Sequence, residues 1–251
     1  MLFRSISTDH PLIVIHVSAG NPFRRWPKDS FAALAARLVQ ADVRRRIVLT
    51  SGPSDQAAAG DVADDARLRL GDLASAIPVL ADVDLVELRA LVARASVYIG
   101  GDSGPLHIAA TTRTPIVELL GPTLPERSRP WRRHEWFSET VDAGPLPCRP
   151  CRQRTCAPGD FRCLTGVSVD QVVAAVERGE ARGWHTVAYG LTLALFSIPL
   201  RQGLAHYAQR TMRGFIESKA EALRLAEPAM EEIFVEICAP IQDRKSTRLN
   251  S

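Results

Sequence analysis

The 251-residue chain predicts an α/β fold: a Rossmann-like parallel sheet with helices on both faces, followed by a helical C-terminal segment. Three observations predict it. Unbroken apolar runs such as Leu12–His16 read as strands covered on both faces. The runs alternate with stretches whose apolar residues recur every three or four positions, the period of a helix, and that alternation implies right-handed parallel crossovers. The third is Gly100-Gly101-Asp102-Ser103-Gly104-Pro105-Leu106-His107, a glycine-rich turn between a strand and a helix start. Glycine lets a backbone approach a ligand closely, and the free N–H groups of a first helical turn favour anions.

Each element has its own signal. Leu12–His16 is the first strand, and Val17–Trp26 a polar, glycine-bearing loop. Asp29 or Ser30 can cap a helix through Phe31, Leu34, Ala35 and Leu38. Arg46–Thr50 gives a second strand, Ser51–Asp55 a turn, and a weak helix follows. Pro78–Leu80 reads as a short strand. Asp84 opens a helix with Leu85, Leu88, Leu91 and Val92 on one face. Ser96–Gly100 and Pro115–Leu120 are further strands, the second ended by Gly121-Pro122. Ser168 to Gln171 has capping-box spacing for a helix to Arg178, with Gly179 as its stop. His206 to Ile237 is helical and amphipathic, rich in Glu, Arg and Ala, and fits core packing or docking. The domains expected are 6–184, including a cysteine-rich flap at 146–165, and a helical appendage at 185–242.

Composition narrows the function classes. Apolar content of 46% and charged content of 24% suit a globular protein, and a net charge of +3 is too small to argue for nucleic acid. The opening lacks the pattern of a signal peptide. The longest apolar run, Val187 to Leu200, is broken by Gly190, Ser197 and Pro199 and is short for a membrane span. Residues 1–5 and 243–251 resemble translated sequencing-adapter DNA, so a longer natural protein is expected.

Two further clusters carry chemistry. Cys148, Cys151, Cys156 and Cys163 fall within sixteen residues. Four thiolates suit a structural zinc or iron–sulfur site, yet the spacing fits neither common zinc pattern, and reduced thiols packed in a loop-rich flap are favoured. Arg127, Arg129, Arg132 and Arg133 form a basic run with Trp131 and Trp136. A solvated loop is the simplest reading, and phosphates or an anionic membrane surface the other. For Asp102 a plain helix cap stands beside a ligand-binding role at the carboxyl end of a strand.

Four motifs occur in order: His16-Val17-Ser18-Ala19-Gly20-Asn21-Pro22-Phe23-Arg24-Arg25-Trp26-Pro27; Thr50-Ser51-Gly52-Pro53-Ser54-Asp55; Gly101-Asp102-Ser103-Gly104-Pro105-Leu106-His107-Ile108-Ala109; and Leu119-Leu120-Gly121-Pro122-Thr123. With the cysteine cluster, the set resembles the carboxyl-terminal, donor-binding half of glycosyltransferase family 9, the ADP-heptose:lipopolysaccharide heptosyltransferases, over about residues 11–180. The resemblance implies a GT-B architecture of two Rossmann-like halves and an inverting reaction without a metal or other cofactor. It implies ADP-heptose as donor and a lipopolysaccharide-core acceptor, handled in the cytoplasm or peripherally at the inner membrane face. The family's aspartate base lies in the amino half, so no catalytic residue is expected here, and the chain alone is expected not to turn over. Arg24, with Arg25 as neighbour, matches a basic position facing the donor diphosphate, and Ser18 a hydroxyl position on phosphate. The backbone from Ser103 through Gly104, Pro105 and Leu106 to His107 would hold the diphosphate, Asp102 the heptose hydroxyls and Asp55 the ribose. The adenine would lie along the Leu80 to Leu85 loop. Trp26 reads as a core anchor, and His16 as a satisfied structural histidine. A stand-alone nucleotide-binding or regulatory module, or another GT-B-type nucleotide-sugar enzyme such as an epimerase, remain alternatives.

Overall fold

The computed structural model describes residues 10–80, 83–151, 155–180, 192–220, 223 and 225–243. The expected scars at 1–5 and 243–251 (Asp243 apart), residues 152–154 of the expected flap, 185–191, 221, 222 and 224 of the expected appendage, and part of the expected adenine loop lie outside these residues. Two compact units divide the chain, Met1–Arg182 and Gly183–Ser251.

The first unit is built on six parallel strands: β1 Leu12–His16, β2 Arg46–Thr50, β3 Val79–Leu80, β4 Val97–Gly101, β5 Ile116–Leu120 and β6 Ser138–Asp142, in the spatial order β3-β2-β1-β4-β5-β6. Strand side chains alternate between faces, and here both faces are covered. Ile13, Ile15, Leu49, Ile99, Val117 and Leu119 pack beneath helices α1 Lys28–Ala41, α2 Ala58–Leu70 and α7 Val169–Glu180. Leu12, Val14, Val48, Tyr98 and Ile116 pack on the other face against α3 Leu85–Ala93 and α4 Gly104–Ala109. Each fully buried aliphatic side chain contributes about 1.5–3 kcal/mol. The apolar run of β1 is unbroken because neither face meets water. Two short helices, α5 Pro125–Ser128 and α6 Arg162–Thr165, lie in the long connections after β5 and β6.

Several sequence expectations change at element ends. Helix α1 begins earlier than Asp29 or Ser30 would have it: Pro27 is its N-cap, and both residues lie inside the first turn. Pro27 fixes φ at −55° and makes no side-chain capping bond, so its rigid ring sets the entry in place of a hydroxyl or carboxylate. Asp84 does cap α3 in a reciprocal box with Glu87, but Leu85 is 59% exposed and leaves the buried face to Leu88, Leu91 and Val92. Ser168 and Gln171 form the expected box at α7. Gly179 does not stop that helix, which runs to Glu180. A Cβ at Gly179 would lie 3.2 Å from the Phe137 ring, so this glycine serves close packing instead.

The second unit holds the helices Leu200–Ala220 and Glu227–Asp243, where the sequence suggested one continuous helical stretch from His206 to Ile237. Arg213 joins them through an ion pair with Glu231, 3.0 Å apart, and lies over the Phe234 ring. Among the described residues no helix is long and apolar enough to cross a membrane.

Candidate functional site

The strand order reverses direction between β1 and β4. That crevice, outside the carboxyl ends of the strands, is where open parallel sheets bind ligands. The loop after β1 carries Ser18, Arg24 and Arg25, and the loop after β4 carries Asp102 and Ser103. The two loops touch. Arg24 Nη1 pairs with Asp102 Oδ2 at 3.0 Å. Gly101 explains how they come so close: a Cβ there would fall 2.9 Å from the carbonyl oxygen of Arg24. Asp102 is further held by the Thr123 hydroxyl, which donates to Oδ2 at 3.0 Å from the Gly121-Pro122-Thr123 turn after β5. Asp102 is 8% exposed, so this buried carboxylate is anchored by a cation and a hydroxyl from two other loops. It is not the side-chain cap of α4, whose N-cap is Ser103.

The remaining sequence candidates divide into two groups. Ser18 is buried; its hydroxyl accepts from the Gly52 N–H at 2.7 Å and lies 3.1 Å from His16 Nε2. The other ring nitrogen of His16 is 2.9 Å from the Thr50 hydroxyl, and burial pushes its pKa down from 6.5 to about 4. His16 is thus a neutral, satisfied bridge between β1 and β2. Arg25 donates from Nε to the Ala19 carbonyl and from Nη1 to Asp55, both at 2.8 Å. Trp26 is buried, donating its indole N–H to the Val167 carbonyl at 3.0 Å and meeting Phe31 edge-on. Ser18, Arg25 and Asp55 therefore fasten the β1 loop to the turn after β2.

On the β4 side the groups stay open. Gly104 and His107 are exposed, whereas Leu106 is fully buried and serves the core. Pro105 has no N–H, and the Leu106 N–H is bonded to the Ser103 carbonyl. The stretch from Ser103 to His107 thus offers fewer free donors than its length suggests.

Sequence reading missed Glu118, the lone carboxylate inside the β5 run Ile116–Leu120. It is fully buried beside Gly100 in the register of β4 and β5. One oxygen accepts from the Thr140 hydroxyl at 2.8 Å, and the other has no partner among the described residues. Burial raises its pKa from 4.5 to about 7; the Asp102 charge adds to the rise, while the Thr140 bond and the Arg129 charge oppose it. On the same face of the sheet the Tyr98 hydroxyl is also buried without a partner among the described residues. It sits over Gly100, where a Cβ would fall 2.8 Å from it. A charged residue amid four aliphatic ones was the signal.

Beside Arg24 lies a cavity of about 590 Å³, walled by the β1 loop, the β5 turn with α5, and the cysteine flap. Cys148, Cys151, Cys156 and Cys163 all line it as free, half-buried thiols. Burial, with Cys148 and Cys156 nearby, pushes the Cys163 thiol up. Among the described residues no group of three or more His, Cys, Asp or Glu is placed to hold a metal ion, so a zinc site has no support. Arg149 pins the flap: it pairs with Asp142 at 2.8 Å and donates to the Thr123 and Gly144 carbonyls.

A family model for glycosyltransferase family 9 (heptosyltransferase) matches residues 3–161. Lipopolysaccharide heptosyltransferase 3 of Escherichia coli strain K12 is 37% identical over 171 residues, which are 68% of this chain and 46% of that protein. The chain spans about half the length of the curated relatives it matches. The structure of E. coli ADP-heptose lps heptosyltransferase II aligns with a TM-score of 0.58 at 22% identity, covering 72% of this chain and 50% of that one. E. coli heptosyltransferase WaaC with ADP aligns at 0.51 and 20% identity, over 70% of this chain and 47% of that one. The sheet with helices on both faces is thus the fold of these glycosyltransferases.

Proposed function

The chain belongs to glycosyltransferase family 9, and from that membership we propose that it forms the nucleotide-sugar donor site of a heptosyltransferase acting in lipopolysaccharide-core synthesis. The donor is ADP-heptose and the acceptor a lipopolysaccharide core, met at the cytoplasmic face of the inner membrane. The observation that carries the reading is the meeting of Arg24 and Asp102 at the crevice where the strand order reverses. The ADP in the E. coli WaaC structure supports the choice of nucleotide.

The chemistry follows from an exchange of partners. Without donor, the Arg24 and Asp102 charges neutralise each other. When a diphosphate arrives, Arg24 turns to it, because two phosphates offer more charge than one carboxylate and bind a guanidinium through paired hydrogen bonds. The Ser103 and Gly104 N–H groups face the same diphosphate at the start of α4. Asp102 is then free to accept from sugar hydroxyls, still oriented by Thr123. In the transfer the acceptor hydroxyl oxygen attacks the anomeric carbon from the face opposite the phosphate. That carbon's bond to the diphosphate oxygen breaks, and ADP leaves with the electron pair. Arg24 stabilises the charge that grows on the leaving group, an effect typically worth about 2–4 kcal/mol. The reaction inverts the anomeric centre and needs no metal, since guanidinium and amide groups neutralise the diphosphate. The base that takes the acceptor proton belongs to the family's amino half, so these residues alone bind donor without turnover.

Calorimetry with ADP, UDP and GDP tests the reading. We expect weak but measurable binding of ADP and little of the others; no heat at millimolar ADP overturns it.

A further inference from the structure

The sequence shows four arginines in one basic run, and the structure sorts them. Arg132 donates to the Thr112 and Thr114 carbonyls and lies over the Trp136 ring. Arg133 pairs with Glu135 at 3.6 Å. The Arg129 charge acts on buried Glu118. Arg127 alone of the four lines the cavity under the cysteine flap, and its guanidinium has no hydrogen bond or ion pair among the described residues.

The charges around that cavity are one-sided. Arg24, Arg127 and Arg149 line it, and no carboxylate does among the described residues. Asp102 answers Arg24 and Asp142 answers Arg149 from outside the wall, which leaves the Arg127 charge unanswered. Burial pushes the Cys163 thiol on its wall further from ionising. Apolar side chains line much of the rest: Phe23 and Phe161 meet with ring centroids 5.5 Å apart, and Leu124 and Pro122 also line the wall. A volume of about 590 Å³ is that of a site for one or two small rings.

We propose that this cavity is a second subsite, separate from the donor diphosphate site, that takes a phosphate monoester carried on a saccharide, with Arg127 on the phosphate and the Phe23–Phe161 pair against the ring. Arg24 is the shared wall. It faces the donor on one side and this cavity on the other, so the two ligands meet across it. A phosphorylated sugar of the acceptor is the occupant such a position would serve. This identification rests on the donor reading above; the anion subsite itself does not.

The test is calorimetry on the full chain with glucose 6-phosphate as the probe, and with glucose, glucuronate and inorganic phosphate as controls. Each titration is run with and without saturating ADP. Glucose 6-phosphate is expected to bind more tightly than any control and not to be displaced by ADP. R127A is expected to weaken it about tenfold, the low end for a hydrogen bond to a charged group, and to leave ADP affinity unchanged; R127K is expected to retain part of the binding. No binding, displacement by ADP, or an R127A protein that binds as the parent does would each overturn the subsite. Inorganic phosphate binding as well as the sugar phosphate would overturn its saccharide half. Arg127-dependent binding of glucose 6-phosphate by a protein that fails to bind ADP would uphold the anion subsite and discard the donor reading.

Discussion

Arg24 and Arg25 are neighbours in the chain and opposites in the structure. Arg25 is fastened to Asp55 and to the Ala19 carbonyl, on the side where Ser18, His16 and Thr50 link β1 to β2. Among the described residues Arg24 has one ion pair, to Asp102, and its side chain is 37% exposed beside a cavity. The same residue type thus holds the backbone in one place and remains available in the other. The difference lies in the number of fixed partners. A guanidinium committed to a backbone carbonyl and a carboxylate within one fold cannot leave both without exposing them, whereas one with a single carboxylate partner can trade it for a phosphate.

Four substitutions can break or sharpen that contrast. The largest effect is expected at Trp26, which ends the fastened loop in the core. Trp26→Ala should destabilise by about 4 kcal/mol in denaturant unfolding, as cavity-forming aromatic deletions do, and a loss below about 1 kcal/mol would mean the loop is not anchored there.

Glu118 comes next; it lies beside Gly100 on β4, the strand that leads into the open side. Its pKa is raised on folding from 4.5 to about 7, so between those values the folded state holds a proton that the unfolded state has released. Stability therefore falls as pH rises through this window, by about 3 kcal/mol in total, and is level above it. Glu118→Gln should be more stable than the parent at pH 8 by about that amount and nearly equal to it at pH 4; identical pH profiles would refute the buried acid. His16 acts in the opposite sense. Its pKa is lowered from 6.5 to about 4, so stability is lost as pH falls through that window.

Arg25→Ala should cost about 1–2 kcal/mol, since it strands Asp55 and a carbonyl, with ADP affinity affected only through the loop. Arg24→Ala leaves the buried Asp102 to Thr123 alone and should likewise cost about 1–2 kcal/mol, yet weaken ADP about tenfold or more. Unfolding curves and ADP titrations on the two proteins decide the matter. If Arg25→Ala is the weaker binder of ADP, the roles are reversed.

Much of this arrangement was legible along the chain because it is local. Leu12–His16 and Pro115–Leu120 announced themselves as apolar runs, and strand, glycine turn and helix start around Asp102 are consecutive. What was missed is what local patterns do not encode. Strand β6, Ser138–Asp142, has only Val141 fully buried, so it shows no apolar run and forms by pairing with β5 at the sheet edge. Gly179 carries a stop signal, but its helix runs to Glu180, and the missing Cβ instead makes room for Phe137 and Pro115. The cavity is assembled from Phe23 and Arg24 of one loop, Arg127 of another and the distant cysteine flap, and no single stretch of sequence describes it.

From the sequence came the strand order's raw material, the two faces of each strand and the loops that carry Arg24 and Asp102, because periodicity and glycine placement are properties of neighbouring residues. Only the tertiary structure could decide which arginine is fastened and which is open, that Glu118 is buried within reach of the Asp102 charge, and that four thiols line a basic hollow. Those outcomes depend on partners far along the chain, and the energy of a charge is set by what the fold brings beside it.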